Sequence, residues 1–475
     1  MKKIYRFIVI IVLSLMTMTS KAQNDGMTLT LLPHFSYNNF YNPGVPVESK
    51  FVFGAGVSNV NLAVFNSSIN YNNLFSIAES GSLILDANKF INSLDEHNNV
   101  INSNLTMDVL RMGLTFGRLF VDLGCRMKFN GELQYSKDFL GFFVNGNGNY
   151  LGKDNPANLS IGANISLYTE LSLGLQYQLS NKFSIGVRPK ILVGMANLSA
   201  TTDGTRIYTD ENLYGMTADV NFNIQAASLL NMENINSITD AVTYFNNMDT
   251  IIIENVFDFQ KNIGYGLDFG FSYNINKHIG FAAGVYDLGY ITWNNTKVKQ
   301  GRKDNMLIND AIFDSYDDVL NMELDFGEVY ETLIDDVWGN DSLVSGVEYK
   351  TSLKTRLMLQ GHFELCSLLK ITAIGQMYCV NEEMYPALTL AYSGSIWRLL
   401  NFTASYTRSE YAGNSIGAGI GVNVGPLNAY IITDNIMIAS KYNAPLTEML
   451  TSYSNANIRL GVVFTLGKRF KKHTI

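Results

Sequence analysis

The sequence predicts an all-β fold, a transmembrane antiparallel β-barrel of about 14 strands (roughly 12 to 16) with short helical inserts. Three observations lead to this prediction: an N-terminal export signal, strands that alternate between apolar and polar residues, and an unusual composition. Only 16% of the 475 residues are charged, whereas 12% are aromatic and 39 are glycine. Soluble domains usually carry about 25% charged residues, so this composition favours a protein that faces lipid.

The N-terminus is typical of an exported chain. Three basic residues within 2–6 precede the apolar run 7–18, and a small-x-small cleavage site follows at 20–22. We therefore expect residues 1–22 to be a cleaved Sec signal peptide and the mature chain, residues 23–475, to reach the cell outer membrane. No second apolar run of about 18 residues follows, so the sequence predicts no transmembrane helix after the signal.

The strand signal is clearest at residues 263–275, IGYGLDFGFSYNI, where odd positions are apolar and even positions are small or polar. This period of two is that of a strand with one apolar face. Clear windows of the same kind are 119–129, 165–179, 183–195, 263–275, 279–293, 353–365, 415–425 and 457–467. Less regular windows are 28–38, 51–68, 104–117, 213–226, 371–380, 386–394, 400–408 and 427–433. Short polar turns at 180–182 and 276–278 join neighbouring windows into hairpins.

In seven of the clear windows, all except 279–293, the charged residues share the polar face. A bilayer penalises Arg or Lys on the lipid side by roughly 2–4 kcal/mol at mid-depth, so this face is predicted to line the lumen. The candidates are Asp122, Arg126, Lys128, Glu170, Arg188, Lys190, Asp268, Lys354, Arg356, Glu364 and Arg459. Two interpretations stay open: cross-strand ion pairs that fill a closed lumen, or a mildly basic path for an anionic amphiphile such as a fatty acid.

Glycines also recur on the polar face, at Gly264, Gly266, Gly270, Gly417, Gly419 and Gly421. Glycine weakens a strand, so such a run indicates either a bend or the close approach of another backbone. We hypothesise that N-terminal residues 23–50 pack on these glycines as a plug. The alternative is that the glycines are kinks that shape the barrel.

Three stretches do not fit the strand pattern. A short helix is predicted within 83–95, and a helical insert within 229–262. Residues 304–341 hold twelve acidic residues and no Lys or Arg, with interleaved apolar residues, and are interpreted as a folded, helical, extracellular insert. If the turns 180–182 and 276–278 are both periplasmic, an even number of strands must separate them, but the windows between them give an odd number. Either another strand at 251–259 or a misplaced turn is then required.

The sequence offers no recognisable catalytic or metal-binding motif. Its five histidines are isolated, and its three cysteines have neither CxxC spacing nor an even number for a disulfide framework. Basic residues are spread along the chain rather than clustered in a stripe, so no nucleic-acid partner is expected. We expect no enzyme activity, no cofactor and no metal site.

Two stretches carry a family resemblance. One is Tyr286–Trp293, with Asp287, Gly289 and Trp293; the other is Gly425–Asn435, with Gly425, Tyr430, Asp434 and Asn435. With the terminal strand from Asn457 and the early Asn42-Pro43-Gly44 segment, they resemble an uncharacterised family of Bacteroidota outer-membrane β-barrels. That family, a domain of unknown function, is similar in architecture to long-chain fatty-acid transporter barrels. The resemblance implies a location rather than an activity.

Several roles follow from these patterns. Asp287 and Asp434 are expected to cap turns, and Trp293 and Trp397 to anchor the barrel at the membrane interface. We expect a monomer in contact with outer-membrane lipid that passively takes up or captures small hydrophobic or amphiphilic molecules. The alternative is a non-transporting surface scaffold whose acidic insert binds a protein partner or Ca²⁺. A membrane-embedded hydrolase is a third, weaker class.

Overall fold

The computed structural model of the chain describes residues 27–56, 58–69, 71–78, 82–97, 99–211, 215–229, 261–308, 344–380, 383–409, 413–436 and 456–468. The predicted signal peptide, nearly all of the helical insert and the acidic insert from 309 onward lie outside these residues. Among the residues described, no helix is long and apolar enough to cross a membrane.

Strands account for most of the described chain. The first half holds β1 (Ser49–Ala55), β2 (Val60–Asn66), β3 (Phe75–Ile77), β4 (Leu83–Leu85), β5 (Asn99–Phe116), β6 (Leu119–Tyr135), β7 (Ala157–Asn158), β8 (Ile161–Gln178), β9 (Phe183–Thr201), β10 (Arg206–Thr209) and β11 (Met216–Ser228). The second half holds β12 (Ile263–Asn274), β13 (Ile279–Trp293), β14 (Thr296–Ile308), β15 (Val344–Ser345), β16 (Tyr349–Ser352), β17 (Thr355–Cys366), β18 (Leu369–Val380), β19 (Glu383–Ile396), β20 (Leu400–Ser409), β21 (Gly413–Val424), β22 (Leu427–Ile436) and β23 (Ala456–Lys468). The helices are α1 (Met27–Leu31), α2 (Asn38–Tyr41), α3 (Tyr71–Leu74), α4 (Ala87–Ser93) and α5 (Lys137–Asn145), with a 3₁₀ turn at Asn147–Asn149.

The wall is a closed antiparallel barrel of 14 strand positions, as predicted. Closure occurs at β1 and β2, which act as one interrupted strand and pair with β23 on one side and β5 on the other. The remaining wall strands are β6, β8, β9, β12, β13 and β17 to β22. Closing the sheet leaves no unpaired edge, which is what a strand-based structure needs in a hydrocarbon environment.

The two faces of the wall differ as the period of two predicts. In β12, Tyr265 is 60% exposed and Phe269 is 48% exposed, whereas Asp268 is only 2% exposed. The outward residues of other strands, such as Leu359 and Ile420, are likewise exposed. An exterior of aromatic and aliphatic side chains around buried polar residues is that of a membrane β-barrel.

The two ends of the barrel differ in the length of their connections. At one end, short turns join the strands, as at 179–182, 275–278 and 367–368. At the other end, several connections are long, and those between β2 and β5 and between β6 and β8 contain α3 to α5. Short turns are usually periplasmic, so the short-turn end is assigned to the periplasm and the long-loop end to the exterior.

The odd number of strands between the two periplasmic turns has its cause in β9. Two antiparallel strands pair with successive parts of β9, one after the other along its length. Its lower half pairs with β12 and its upper half, from Ala196 to Thr201, pairs with β11. The window 213–226 is therefore a strand that extends the wall at the long-loop end, where β14 pairs with it. Among the described residues, neither a misplaced turn nor a further wall strand is needed, and the alternative strand at 251–259 lies outside them.

Two local predictions need correction, and one is confirmed. The window 28–38 is not a strand, because α1 and the turns after it occupy it. The short helix predicted within 83–95 is present as α4, which follows β4. The first residues of the acidic insert, 304–308, continue β14 rather than forming a helix.

The long-loop end carries a small apolar core. Helix α5 begins after Ser136, whose hydroxyl oxygen accepts a hydrogen bond from the Phe139 amide at 3.2 Å. Phe139, Phe142 and Phe143 then pack with Ile207 and other buried residues of the loops. These contacts fold the long connections down onto the upper part of the wall.

Candidate functional site inside the barrel

Residues 27–47, here called the N-terminal segment, lie inside the barrel. Leu29 and Leu32 are fully buried, and Phe35 is 5% exposed. They share one apolar cluster with the inward wall residues Phe120 and Ile432. Apolar side chains at this density exclude water, so the segment fills the lumen between the strands rather than crossing the membrane beside them.

Wall glycines give the segment its seat. A β-carbon on Gly270 would collide with the Asn42 amide oxygen, and one on Gly186 would collide with the Pro43 carbonyl. On the opposite side of the lumen, a β-carbon on Gly421 would meet the Phe35 ring, and one on Gly417 would meet the Thr28 hydroxyl. The segment therefore lies closer to these strands than any other residue type would allow.

Three of the predicted plug-contact glycines face something else. A β-carbon on Gly264 would meet the backbone of Tyr290, and one on Gly266 would lie 3.4 Å from Leu353 and Lys190. Gly419 faces Ile432 at 2.9 Å. These glycines accommodate neighbouring strands, because polar parity identifies the inner face but not what lies against it. Gly186 was not among the predicted contacts, although it has the same parity in β9.

Hydrogen bonds fix the segment at both ends. The Thr28 amide donates to Asp434 Oδ1 at 2.7 Å, high on β22. Lower in the lumen, the Ser184 and Ser272 hydroxyls donate to the Gly44 carbonyl at 2.6 and 3.1 Å. Asp434 thus holds the segment and does not cap a turn.

Three arginines surround the ring of Phe40. The guanidinium carbons of Arg126 and Arg188 lie 4.2 Å from the ring centroid and that of Arg111 lies at 4.4 Å. Arg188 also donates to the Phe40 carbonyl at 3.0 Å. Cation–π contacts gain strength when they are desolvated, so this arginine cage ties the centre of the segment to β5, β6 and β9.

The cage is neutralised by two buried aspartates. Asp122 lies 3.1 Å from Arg188 and 3.4 Å from Arg111, while Asp108 accepts from Arg126 Nε at 2.6 Å. Asp108 and Arg111 were missed by the parity analysis. A β-bulge between Asp108 and Leu110 reverses the inward parity of β5 at this point, so both residues face the lumen although one is even and one is odd.

A second buried ionic cluster lies beside the cage. Lys190 is 2.6 Å from Asp287 and 2.8 Å from Asp268, and Lys128 is 3.0 Å from Glu170 and 3.3 Å from Asp287. Asp287 therefore does not cap a turn: it sits within β13, at a φ of 52°, and joins both lysines. Buried charges of this kind are tolerated only when they are paired.

These two clusters are balanced in charge. Their five basic groups are Arg111, Arg126, Arg188, Lys128 and Lys190, and their five acidic groups are Asp108, Asp122, Glu170, Asp268 and Asp287. Within these two clusters, the basic residues are matched one for one by acidic residues once the missed residues are included. This arrangement favours cross-strand ion pairs that fill the lumen over a basic path for an anion.

The other charged candidates have contacts outside these clusters. Arg459 donates to the Tyr41 hydroxyl and to Asn61 Oδ1, and so contacts the N-terminal segment. The Arg356 guanidinium lies 5.7 Å from the Tyr41 ring centroid. Lys354 is outside the strands and 3.8 Å from Glu132, and Glu364 lines a cavity at the short-turn end.

A packed apolar cluster lies on the long-loop side of the second ionic cluster. Trp293 is fully buried there with Tyr168, Leu192, Ile291 and Leu353, and its indole stacks against Tyr349 at 6.4 Å. The prediction that Trp293 anchors the barrel at the membrane interface is therefore wrong. The positive φ at Asp287 reverses the parity of β13, which turns the tryptophan inward.

The remaining residues of the two family-like stretches lie in a turn or contact other residues of the barrel. Gly425 has a φ of 58° in the turn between β21 and β22, where glycine is favoured. Gly289 faces the backbone of Tyr265, and Tyr430 donates to Asn59 Oδ1 at 2.9 Å inside the lumen. The Asn435 amide donates to Thr433 Oγ1 at 3.2 Å. None of these contacts creates a catalytic constellation.

A cavity of about 880 Å³ lies below the N-terminal segment, at the short-turn end. Its lining is mixed, with His34, Glu48, His362 and Lys370 among residues of the segment and the wall. Within the described ranges, no group of three His, Cys, Asp or Glu residues could hold a metal ion.

The fold and its contents define a membrane β-barrel with an N-terminal segment packed inside. The chain belongs to DUF5723, a family of unknown function, whose sequence profile matches residues 43–434. No curated protein matches the chain.

Similar solved structures are also outer-membrane-type barrels. A Pseudomonas aeruginosa FadL homologue is 8% identical, with 93% of this chain and 96% of that chain covered, at a TM-score of 0.43. The Pseudomonas putida toluene transporter TodX is 9% identical, with 96% and 100% covered, at a TM-score of 0.38. The Ralstonia pickettii toluene transporter TbuX is 9% identical, with 92% and 94% covered, at a TM-score of 0.39. Identities and TM-scores this low do not assign a ligand to this chain.

Proposed function

We propose that this protein is an outer-membrane barrel that captures or passes small hydrophobic or amphiphilic molecules, and that the N-terminal segment is a plug that must shift for them to pass. The observation that carries the proposal is that the lumen is closed by a separate segment seated on wall glycines. A segment held by hydrogen bonds and side-chain packing can leave its seat while the wall stays intact.

The surroundings of the plug support a hydrophobic solute. The packed cluster around Trp293 places aromatic and aliphatic side chains inside the barrel, on the side that faces the exterior. When a shift of the plug opens space beside them, these side chains favour an apolar molecule, because its transfer out of water gains free energy. The ionic clusters beneath it are balanced, so they give no preference for an anion. We therefore favour uncharged or weakly polar molecules over fatty-acid anions as the solute.

Export completes the proposal. A signal peptide cleaved after Ala22 would place the new N-terminus a few residues before α1, so that the mature chain starts beside the plug. Mass analysis of the protein purified from outer membranes tests this step. The scaffold alternative depends on the acidic insert, which lies outside the described residues from 309 onward, and no observation in the described chain favours it.

The plug hypothesis can be tested by locking the plug to the wall. The Thr28 and Ser405 hydroxyl oxygens lie 3.0 Å apart, so cysteines at both positions can form a disulfide between plug and wall. The Thr389 and Thr407 hydroxyl oxygens, 2.8 Å apart on neighbouring wall strands, provide the matched control. Both pairs are made after the native cysteines are replaced, and uptake of the hydrophobic fluorophore N-phenylnaphthylamine by intact cells is measured.

We expect the oxidised Thr28→Cys/Ser405→Cys pair to lower uptake severalfold, and a reductant to restore it. The control pair should not change uptake in either redox state. Equal uptake by both oxidised pairs and the unlinked parent would show that the plug does not gate the solute.

A further inference from the structure

Three residues with unfavourable backbone angles lie at the short-turn end, and two of them contact the same carboxylate. His34, Trp397 and Arg398 have φ values of 63°, 51° and 60°. Two of them, His34 and Arg398, contact Glu48, which is the last residue before β1. Positive φ is uncommon for residues other than glycine and is a notable deviation for a bulky one. Strain held at one point in this way is a signal of function when the surrounding structure maintains it.

The turn between β19 and β20 shows why Arg398 is unexpected. The Leu399 amide donates to the Ile396 carbonyl at 2.9 Å, and the two residues between them both have positive φ. This is the geometry of a type I′ turn, which strongly favours Asn-Gly. The chain instead places tryptophan and arginine there, against the local preference.

The Arg398 side chain has a specific partner. Its guanidinium Nη2 donates to Glu48 Oε2, and His34 Nδ1 lies 3.1 Å from Glu48 Oε1. The turn itself is fixed by Asn423, whose side-chain amide donates to the Arg398 carbonyl at 3.2 Å. Arg398 therefore connects a rigid wall turn to the residue at which the N-terminal segment joins the wall.

The contact is accessible from the short-turn end. The side chains of Glu48 and Arg398 are 45% and 53% exposed, and that of His34 is 23% exposed. His34 and Glu48 line the cavity below the segment, and the wall residue Lys370 faces Glu48 from the same cavity. Although burial raises the pKa of the Glu48 carboxyl, the hydrogen bond from His34 and the charge of Arg398 outweigh it and hold that pKa below its ordinary value.

We infer that His34, Glu48 and Arg398 form a clasp that controls how readily the N-terminal segment leaves its seat. The inference rests on the proposed role of the segment as a plug. The clasp acts at the base of the segment, where it meets β1, while the arginine cage holds the centre. Its position on the rim of the cavity lets periplasmic conditions act on it without reaching the lumen.

Substitution by glycine separates the clasp from backbone strain. Arg398→Gly relieves strain at a positive φ and removes the clasp. Trp397→Gly relieves strain at the preceding residue and leaves the clasp intact. A cysteine at Val47, which is 2% exposed in the lumen cluster, reports opening of the segment through its rate of maleimide labelling. The native cysteines are replaced, and folding is checked by the heat-dependent shift of the barrel on gels.

In the Arg398→Gly variant we expect the cysteine at Val47 to be labelled about two to five times faster than in the parent, the range that loss of partly exposed ion pairs allows. Glu48→Gln should give a similar increase, and Trp397→Gly should not change the rate. Two results would overturn the clasp. One is a labelling rate of the Val47 cysteine that is equal in Arg398→Gly and the parent, and the other is a rate that rises equally in Trp397→Gly and Arg398→Gly.

This test can be distinguished from a test of the proposed function. If labelling responds as expected while the locked plug does not lower solute uptake, the clasp is supported and the transport proposal fails. If locking lowers uptake but labelling does not respond to Arg398→Gly, the transport proposal is supported and the clasp fails.

Discussion

A methyl group at a wall glycine should displace the plug without weakening the wall. Gly186 is the best position, because a β-carbon there would collide with the Pro43 carbonyl oxygen, which belongs to the backbone and cannot rotate away. Gly375 in β18 is the matched control, since the nearest atom to its added β-carbon would be 4.0 Å away. Both substitutions remove the same backbone freedom, which should stabilise a strand by roughly 0.5–1 kcal/mol.

The cost at Gly186 follows from the contacts that the shifted segment loses. The hydroxyls of Ser184 and Ser272 donate to the Gly44 carbonyl, and the Asn42 side-chain amide donates to the Ala283 carbonyl of the wall at 3.4 Å. At about 1 kcal/mol for each hydrogen bond, losing two or three of them weakens the seat by about 2–3 kcal/mol. That change corresponds to roughly 30- to 150-fold more of the open form.

Labelling of Val47→Cys measures this opening. In the Gly186→Ala variant, the cysteine at Val47 should be labelled at least on the order of 30-fold faster than in the parent. The heat-dependent gel shift of the barrel should be retained. Gly375→Ala should label at the parent rate. Parent-like labelling in Gly186→Ala, or equal acceleration in both variants, would refute the assignment of this glycine as a seat for the plug.

Four further predictions follow from the other contacts of the lumen. Phe40→Leu removes the ring from the arginine cage and should destabilise the folded state by about 1–3 kcal/mol, measured by urea unfolding in detergent against Phe143→Leu in the loop core. Asp287→Asn leaves Lys128 and Lys190 underneutralised and should cost about 3–5 kcal/mol in the same assay, whereas Asp304→Asn, which is exposed, should have little effect. In bilayers of brominated lipid, Trp397 fluorescence should be quenched strongly and that of the buried Trp293 weakly, measured in variants that keep one tryptophan; equal quenching would contradict the inward orientation of Trp293. Because the pKa of Glu48 is lowered in the folded protein, its contribution is present above the ordinary carboxyl value of about 4.3 and is lost as pH falls through the lower folded-state value. Hydrogen exchange of residues 27–47 should therefore differ between parent and Glu48→Gln near neutral pH and converge in acid; a difference that persists in acid would contradict this.

The alternation of apolar and polar residues was sufficient to predict the wall. It identified the windows of the 14 strand positions and the face that lines the lumen, as β12 shows with Phe269 outside and Asp268 inside. This works because a bilayer penalises polar groups on the lipid face of each strand, so the pattern is local and strict.

Local parity failed where the backbone is irregular. The bulge at Asp108 placed Arg111 inside the lumen, and the positive φ at Asp287 turned Trp293 inward. Bulges depend on pairing with distant strands, which a window of one strand does not contain. The same limit explains window 28–38, whose apolar residues pack inside the barrel as a compact segment instead of forming a strand in the wall.

The partners of the lumen charges could not be derived from parity either. Lys190 contacts Asp268 on the neighbouring strand and Asp287 one strand further. Parity places each of these side chains on the inner face, but the register between strands decides which charges meet. The identity of the clasp is subject to the same limit, since His34 and Arg398 are far apart in sequence.

The central claim is that the N-terminal segment closes an otherwise passable lumen. Its most direct test is the conductance of planar bilayers that contain the purified mature protein or a variant that lacks residues 27–47, with the heat-dependent gel shift as the check on folding. The account predicts steady stepwise conductance for the folded deletion variant and at most brief openings for the full mature chain. Equal conductance of the two proteins, whether both closed or both open, would contradict it.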